Sequence, residues 1–197
     1  MFTGIVEEMG RVLRLVPAEQ GIRLDVEGPL VSAGLEVGDS IAVNGVCLTV
    51  VATTTTGFSA DVVKETLDRT NLGHLQPEST VDLERPMPAS GRFDGHIVQG
   101  HVDGVGRVLH LSPEGEGVRM TITMPDRLQR FAVEKGSVTV DGVSLTIAEL
   151  VAGGFVVALI PHTLAVTVLG HRQPGDLVNL EVDVIAKYVE RLLLERA

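Results

Sequence analysis

Aromatic side chains are scarce in this chain, with no Trp, one Tyr and five Phe, so there are few platforms on which unpaired bases could stack. Positive charge is short as well: 16 Lys and Arg stand against 26 Asp and Glu, and the formal net charge of -10 opposes a phosphate backbone. Nucleic acid is not an expected partner. The single cysteine, Cys47, excludes an internal disulfide and suits a reducing compartment, so a cytoplasmic location is expected. No apolar run approaches the roughly 18 residues of a membrane span, and the opening MFTGIVEEMG lacks a signal-peptide core, so no membrane partner is expected. Metal-binding spacings are missing too. There is no HExxH and no CxxC, and the closest pair of histidines, His96 and His101, would point to opposite sides of an extended segment. The glycine-rich run Gly100 to Gly106 matches neither a dinucleotide fingerprint nor a P-loop. Neither a metal nor a cofactor is expected.

What the chain does contain, it writes twice. Residues 41–51 read IAVNGVCLTVV and residues 138–148 read VTVDGVSLTIA. In each, an Asn-Gly or Asp-Gly pair between apolar runs marks a tight two-residue hairpin, Asn44-Gly45 and Asp141-Gly142. The strand that follows alternates. Val46, Leu48 and Val50 face one way and Cys47 with Thr49 the other; Ser144 and Thr146 repeat this against Val143, Leu145 and Ile147. Such a polar face backed by branched aliphatics suits a polar planar ligand, although on one hairpin alone it would read as a solvated surface. The copying extends well beyond the hairpin. GIVEEMGRVLRLVP from Gly4 lies over GHVDGVGRVLHLSP from Gly100, and further on Phe58, Thr66 and Gly73 pair with Phe155, Thr163 and Gly170. A repeat this long is far beyond a solenoid period, so each half should be a complete domain.

Within the first half, short strands are expected over residues 2–6, 10–16, 22–26, 39–43, 46–52, 57–63 and 80–84, the spacing of an all-β sandwich or barrel. A closed six-stranded barrel is the economical solution, because closure removes sheet edges. Short helical pieces are expected at Pro29 to Gly34, Glu65 to Leu72, Pro125 to Ala132 and His162 to Leu169. The Pro- and Gly-rich PMPASGRFDG supplies the linker, giving domains at 1–87 and 96–184 around a linker at 88–95. From residue 184 the period becomes helical, with Ile185, Tyr188, Val189, Leu192 and Leu193 on one face. This helix, at 185–197, has no counterpart in the first half and is expected to join subunits.

Where the halves differ at polar positions, different chemical duties become plausible: Ile5 against His101, Cys47 against Ser144, Gly38 against Lys135, Glu65 against His162. Singly, each has a bland explanation as a solvated or small core residue. Serine nucleophilic catalysis at Ser144 is disfavoured, because DGVSL is a hairpin strand and not a GxSxG elbow.

The opening MFTGIV, the hairpin NGVCLTV, KETL from Lys64 with NLG from Asn71, then GHIVQGHVDG, DGVSLT and NLEVD together resemble the riboflavin synthase family, alpha-chain type, over essentially the whole chain. The resemblance implies two Greek-key barrels and a homotrimer assembled through the C-terminal helix. It also implies dismutation of 6,7-dimethyl-8-ribityllumazine into riboflavin and 5-amino-6-ribitylamino-uracil, and association with lumazine synthase. A non-catalytic lumazine or flavin carrier of the same fold is the competing expectation. By motif, a first cradle would use Gly4, Ile5 and Val6; Cys47, Leu48 and Thr49; and Asp61, Val62, Val63, Lys64, Glu65 and Thr66. A second would use Gly100, His101 and Val102; Lys135; Ser144, Leu145 and Thr146; and Ala158, Leu159, Ile160, Pro161, His162 and Thr163. Phe2, Thr3 and Asp183 would line their junction. His101 is the candidate for proton transfer, since imidazoles titrate near neutrality. Ser144 and Thr146 would position ligand or water, Cys47 would act on the opposing ring, and Lys135 and Asp183 complete the catalytic set.

Overall fold

The computed structural model describes residues 1–194. The first half forms β1 (Glu8–Ala18), β2 (Gly21–Glu27), α1 (Pro29–Ser32), β3 (Ser40–Val43), β4 (Val46–Thr53), β5 (Gly57–Val63), α2 (Lys64–Arg69) and β6 (Thr80–Glu84). The second repeats the series as β7 (Gly104–Glu114), β8 (Gly117–Thr123), α3 (Asp126–Gln129), β9 (Ser137–Val140), β10 (Val143–Val151), β11 (Gly154–Leu159), α4 (Pro161–Val166) and β12 (Leu177–Val182). Helix α5 (Val184–Leu194) follows, and the expected helical residues beyond 194 lie outside the described residues.

Each half closes into a six-stranded antiparallel barrel in the order β1-β2-β5-β4-β3-β6, and likewise β7-β8-β11-β10-β9-β12. Three hairpin-linked strands, β3 to β5, are followed by β6 returning beside β3, which is the Greek-key arrangement. Alternation produces two separate cores. Leu24, Ile41, Phe58 and Leu83 are sealed in the first, Met120, Ile122, Phe155 and Leu180 in the second.

Both Gly hairpins form as the sequence requires. Asn44 and Gly45 have φ of 45° and 73°, Asp141 and Gly142 of 49° and 86°, and the flanking pairs are Val43 with Val46 and Val140 with Val143. Positive φ at both central residues is the type I′ signature, whose twist matches the strands. The two turns meet tip to tip: a Cβ on Gly45 would lie 2.6 Å from Gly142 N, so only glycine allows this approach.

Polar groups seal the seam between barrels. Asn44 Oδ1 accepts from Asp82 N at 2.8 Å, and Asp141 Oδ1 accepts from Asn179 N at 2.8 Å, the same contact in each half. The 3-10 turns cross over. Asn71 N, after α2, donates to Asn179 Oδ1 of the second half at 2.7 Å, and Val168 N, after α4, donates to Asp82 Oδ1 of the first at 2.9 Å. Arg172 pairs with buried Asp141 at 2.6 Å. Burial drives the pKa of the Asp82 carboxyl well above its ordinary value, with Asp141 adding to the effect, and its Oδ2 has no hydrogen-bond partner among the described residues.

Three expectations need correction. Residues 2–6 are not a strand but an extended lead-in interrupted at Gly4, φ 78°, with a β-bridge between Phe2 and Val98. The expected helices at Glu65 to Leu72 and His162 to Leu169 break at Thr70 and Thr167, which are extended. Their hydroxyls donate to the carbonyls of Thr66 and Thr163 at 2.7 Å, a local bond that competes with helix continuation. Helices α1 and α3 are likewise shorter than expected, at four residues each.

Candidate functional site

The hairpin strands carry the polar faces as expected. Along β4, Val46, Leu48 and Val50 are buried while Cys47 is half-buried and Thr49 exposed; along β10, Val143 and Ile147 are buried, Ser144 is half-buried and Thr146 exposed.

What completes each face comes from the other half. Ser144 N donates to the Gly4 carbonyl at 2.7 Å, and Cys47 N donates to the Gly100 carbonyl at 2.8 Å. Val6 packs on the second core and Val102 on the first. Gly4, Ile5 and Val6 therefore belong with Ser144, Leu145 and Thr146, and Gly100, His101 and Val102 with Cys47, Leu48 and Thr49, the reverse of the grouping expected within each half. Both lead-in glycines take the left-handed conformation, φ 78° and 75°, and a Cβ on either would press within 2.7 Å of the Ser144 or Cys47 Cβ. The two lead-ins hold each other as well: Phe2 N donates to Val98 O at 2.8 Å, and Val98 N to Phe2 O at 3.1 Å.

Two buried glutamates, not identified from sequence, fix this crossing. Glu84 accepts from Thr3 N at 2.7 Å, Thr3 Oγ1 at 2.9 Å and Gly4 N at 3.0 Å. Glu181 at the repeat-equivalent position accepts from Gln99 N at 2.8 Å and His101 N at 2.9 Å. Burial raises the pKa of both. The Thr3 and Gly4 donors oppose it at Glu84, and the Gln99 and His101 amides with Lys187 at Glu181. A carboxylate among backbone amides replaces the strand ladder these segments lack. The signal was available, since Glu84 and Glu181 stand 97 positions apart like the hairpins.

The remaining candidates divide into surface and support. His101 is exposed. Lys135, in the left-handed conformation, donates through Nζ to the Ala148 carbonyl at 3.1 Å behind β10. Asp183 caps the start of α5 by accepting from Ile185 N at 2.9 Å. Val63, Ala158, Ile160, Pro161 and His162 are exposed and Thr66 and Thr163 half-buried, all around the ends of β5 and β11. Asp61 is engaged by Arg23 at 2.8 Å, whose hydrogen bond lowers its pKa. Lys64 pairs with Asp68 at 2.6 Å, and Glu65 with Arg69. Phe2, Leu48, Val62 and Leu159 are sealed in cores, so their side chains back the cradles rather than face a ligand. A cavity of about 440 Å³ opens beside Thr3 and Ile5, walled by Glu84, Arg85, Met87 and Arg92.

Sequence reasoning also missed His96. Its Nδ1 lies 2.7 Å from Ser144 Oγ, and its own N–H donates to Thr3 O at 3.1 Å.

Two like barrels, each presenting a short polar strand face completed by the other half, define a duplicated small-ligand-binding protein. The family model described as "Lumazine binding domain" matches residues 3–86 and again 99–183. Riboflavin synthase of Mycobacterium bovis is 52% identical over 98% of this chain and 98% of its own. Those of Actinobacillus pleuropneumoniae and Bacillus subtilis are 44% and 42% identical, over 100% and 98% of this chain and 91% and 90% of theirs. The chain belongs to the riboflavin synthase family. Its fold is shared with LumP complexed with 6,7-dimethyl-8-(1'-D-ribityl) lumazine, at a TM-score of 0.83 and 23% identity, and with LumP complexed with riboflavin, at 0.85 and 25%. Both matches cover 92% of this chain and 99% of the other.

Proposed function

We propose that this protein is a transferase that moves a four-carbon unit between two molecules of 6,7-dimethyl-8-ribityllumazine, giving riboflavin and 5-amino-6-ribitylamino-uracil. The observation that carries the reading is its 52% identity to a riboflavin synthase over nearly the full length of both chains. The geometry agrees with it. A reaction between two identical molecules in unequal roles calls for two similar cradles with different polar groups. Cys47 with His101, and Ser144 with Thr146, are such a pair.

The lumazine supplies most of the reactivity, through its acidic 7-methyl group and electrophilic C7. The protein's main task is then to hold two ring systems face to face, and such orientation is worth roughly 7 to 11 kcal/mol of barrier. His101 moves a proton, Ser144 and Thr146 position ligand or water, Cys47 acts on the opposing ring, and Lys135 and Asp183 support β10 and the junction. Strand-end groups at Asp61 to Thr66 and Ala158 to Thr163 take the pyrimidinedione edge and ribityl hydroxyls.

The two cradles face each other between neighbouring subunits of a homotrimer. Supporting this, α5 is tied to the second barrel by Lys187 with Asp103 and Arg130 with Glu190, both at 2.7 Å. That leaves Ile185, Tyr188, Val189, Leu192 and Leu193 exposed and in need of cover. A cytoplasmic location, suited to the lone free Cys47, and association with lumazine synthase complete the proposal.

Incubation of the purified protein with the lumazine, followed by riboflavin fluorescence, tests the reading. Riboflavin is expected. Tight binding without product would make the chain a carrier, and no binding would remove the reading altogether.

A further inference from the structure

His96 lies where the lead-in at Thr3 meets the polar face of β10, and its side chain and its backbone are both fixed there. Its Nδ1 meets Ser144 Oγ at 2.7 Å and its amide holds the Thr3 carbonyl. Gly95 before it packs so closely that a Cβ would lie 2.0 Å from Thr3 O and 3.0 Å from Ser144 Oγ. The side chain is half-buried. Burial disfavours its charged form and lowers its pKa, while the Asp183 carboxylate pulls the other way. The carboxylate that β6 brings to this lead-in, Glu84, is occupied by the Thr3 and Gly4 amides, and the Ser144 and Thr3 side chains are uncharged.

We propose that His96 is a positioning residue for the four-carbon transfer, acting through Ser144 as a neutral imidazole that accepts the serine hydroxyl proton. The inference rests on the function proposed above. With its own proton on Nε2, His96 takes the Ser144 O–H at Nδ1 and turns the free Oγ lone pairs toward the cradle. When Oγ accepts a proton from the ligand or from water, the serine's original proton passes to Nδ1. One proton enters the pair and the same number leaves when the step reverses, while Asp183 favours the transient imidazolium. The two imidazoles then serve separate cradles: His101 stands beside Gly100 and Cys47, and His96 beside Gly4 and Ser144.

The test compares kcat against pH for wild type, His96→Asn and His96→Ala, with melting temperatures. The asparagine carboxamide keeps an acceptor near the Nδ1 position but cannot titrate. Wild-type kcat is expected to fall on the acid side with a midpoint below the ordinary histidine value of about 6.5. His96→Ala should lose about 100-fold in kcat with KM within about twofold, and His96→Asn should recover about tenfold of that loss and show no acid limb at that midpoint. An alanine variant at wild-type kcat, or an asparagine variant keeping the wild-type acid limb, would overturn the proposal. If His96→Ala does not fold, the pH profile of a normally melting His96→Asn decides alone. Wild-type protein that forms no riboflavin would overturn the proposed function along with this inference, whereas active wild type with indifferent His96 variants overturns only the inference.

Discussion

Replacing Gly100 by alanine probes the crossing of the two halves at its tightest point. Gly100 has φ 75°, and an alanine there carries left-handed strain of about 1 to 2 kcal/mol. The added Cβ would lie 2.7 Å from Cys47 Cβ and 2.9 Å from Cys47 N, with no flexible side-chain end to give way. Overpacking of that kind costs about 1 to 3 kcal/mol. Moving apart would also weaken the 2.8 Å bond from Cys47 N to Gly100 O, worth about 1 kcal/mol. The total is about 3 to 6 kcal/mol. Gly34 provides the control: its φ is 84°, but a Cβ there meets nothing within 4 Å, so Gly34→Ala carries the strain alone. For a chain of this size about 2 to 4 °C accompanies each kcal/mol, so Gly100→Ala should melt about 10 °C below Gly34→Ala. Combining it with Cys47→Gly should restore about 1 to 3 kcal/mol as a non-additive coupling in urea unfolding. Equal melting of the two alanine variants, with no coupling to Cys47, would refute the contact and with it the exchange of lead-in segments.

At the seam, Asn71→Ala removes the donor to Asp141 Oδ1 at 2.7 Å and the acceptor of Asn179 Nδ2 at 2.9 Å, two buried bonds, one of them to a carboxylate, and leaves each group with a single remaining partner, Asn179 N and Asn44 O respectively. A loss of about 2 to 4 kcal/mol in urea unfolding is expected, and a change under about 0.5 kcal/mol would show that the network does not hold the barrels together. Asp82 gives a pH prediction. As an acid whose folded pKa is raised, it contributes stability fully present below the ordinary carboxylate value of about 4 and lost as pH rises through its folded value. Asp82→Asn should therefore gain on wild type in unfolding free energy as pH rises above the ordinary carboxylate value of about 4, and a difference that stays constant with pH would contradict the raised pKa of this buried carboxyl. His101→Ala should lower lumazine turnover by about 100-fold while far-UV circular dichroism and melting stay unchanged. Wild-type turnover in that variant would remove His101 from proton transfer.

The parts of the fold governed by local rules were legible in the sequence. Asn44-Gly45 and Asp141-Gly142 dictate their turns because few residues tolerate positive φ, and the apolar alternation after each assigns Leu48 and Ile147 to the cores. The helical period of residues 184–194 was equally plain. What escaped was non-local. Residues 2–6 carry strand-like residues, but the Thr3 and Gly4 amides are satisfied by Glu84, a partner some 80 positions away whose place in a strand made it look ordinary. The same holds for Glu181 with the segment before Gly104. Motif order within a half suggested that Gly4 belongs with Cys47; only the packed barrels show it against Ser144. His96 was invisible because its meaning lies in Ser144, 48 residues later.

Two copies of one substrate should meet across the two cradles. Counting molecules tests it: lumazine consumed and riboflavin and pyrimidine formed, followed by chromatography of a single incubation with the purified protein. About two lumazines should be lost for each riboflavin and each pyrimidine that appears, with the ratio constant through the time course. Bound lumazine recovered intact, or riboflavin formed without the pyrimidine, would contradict it.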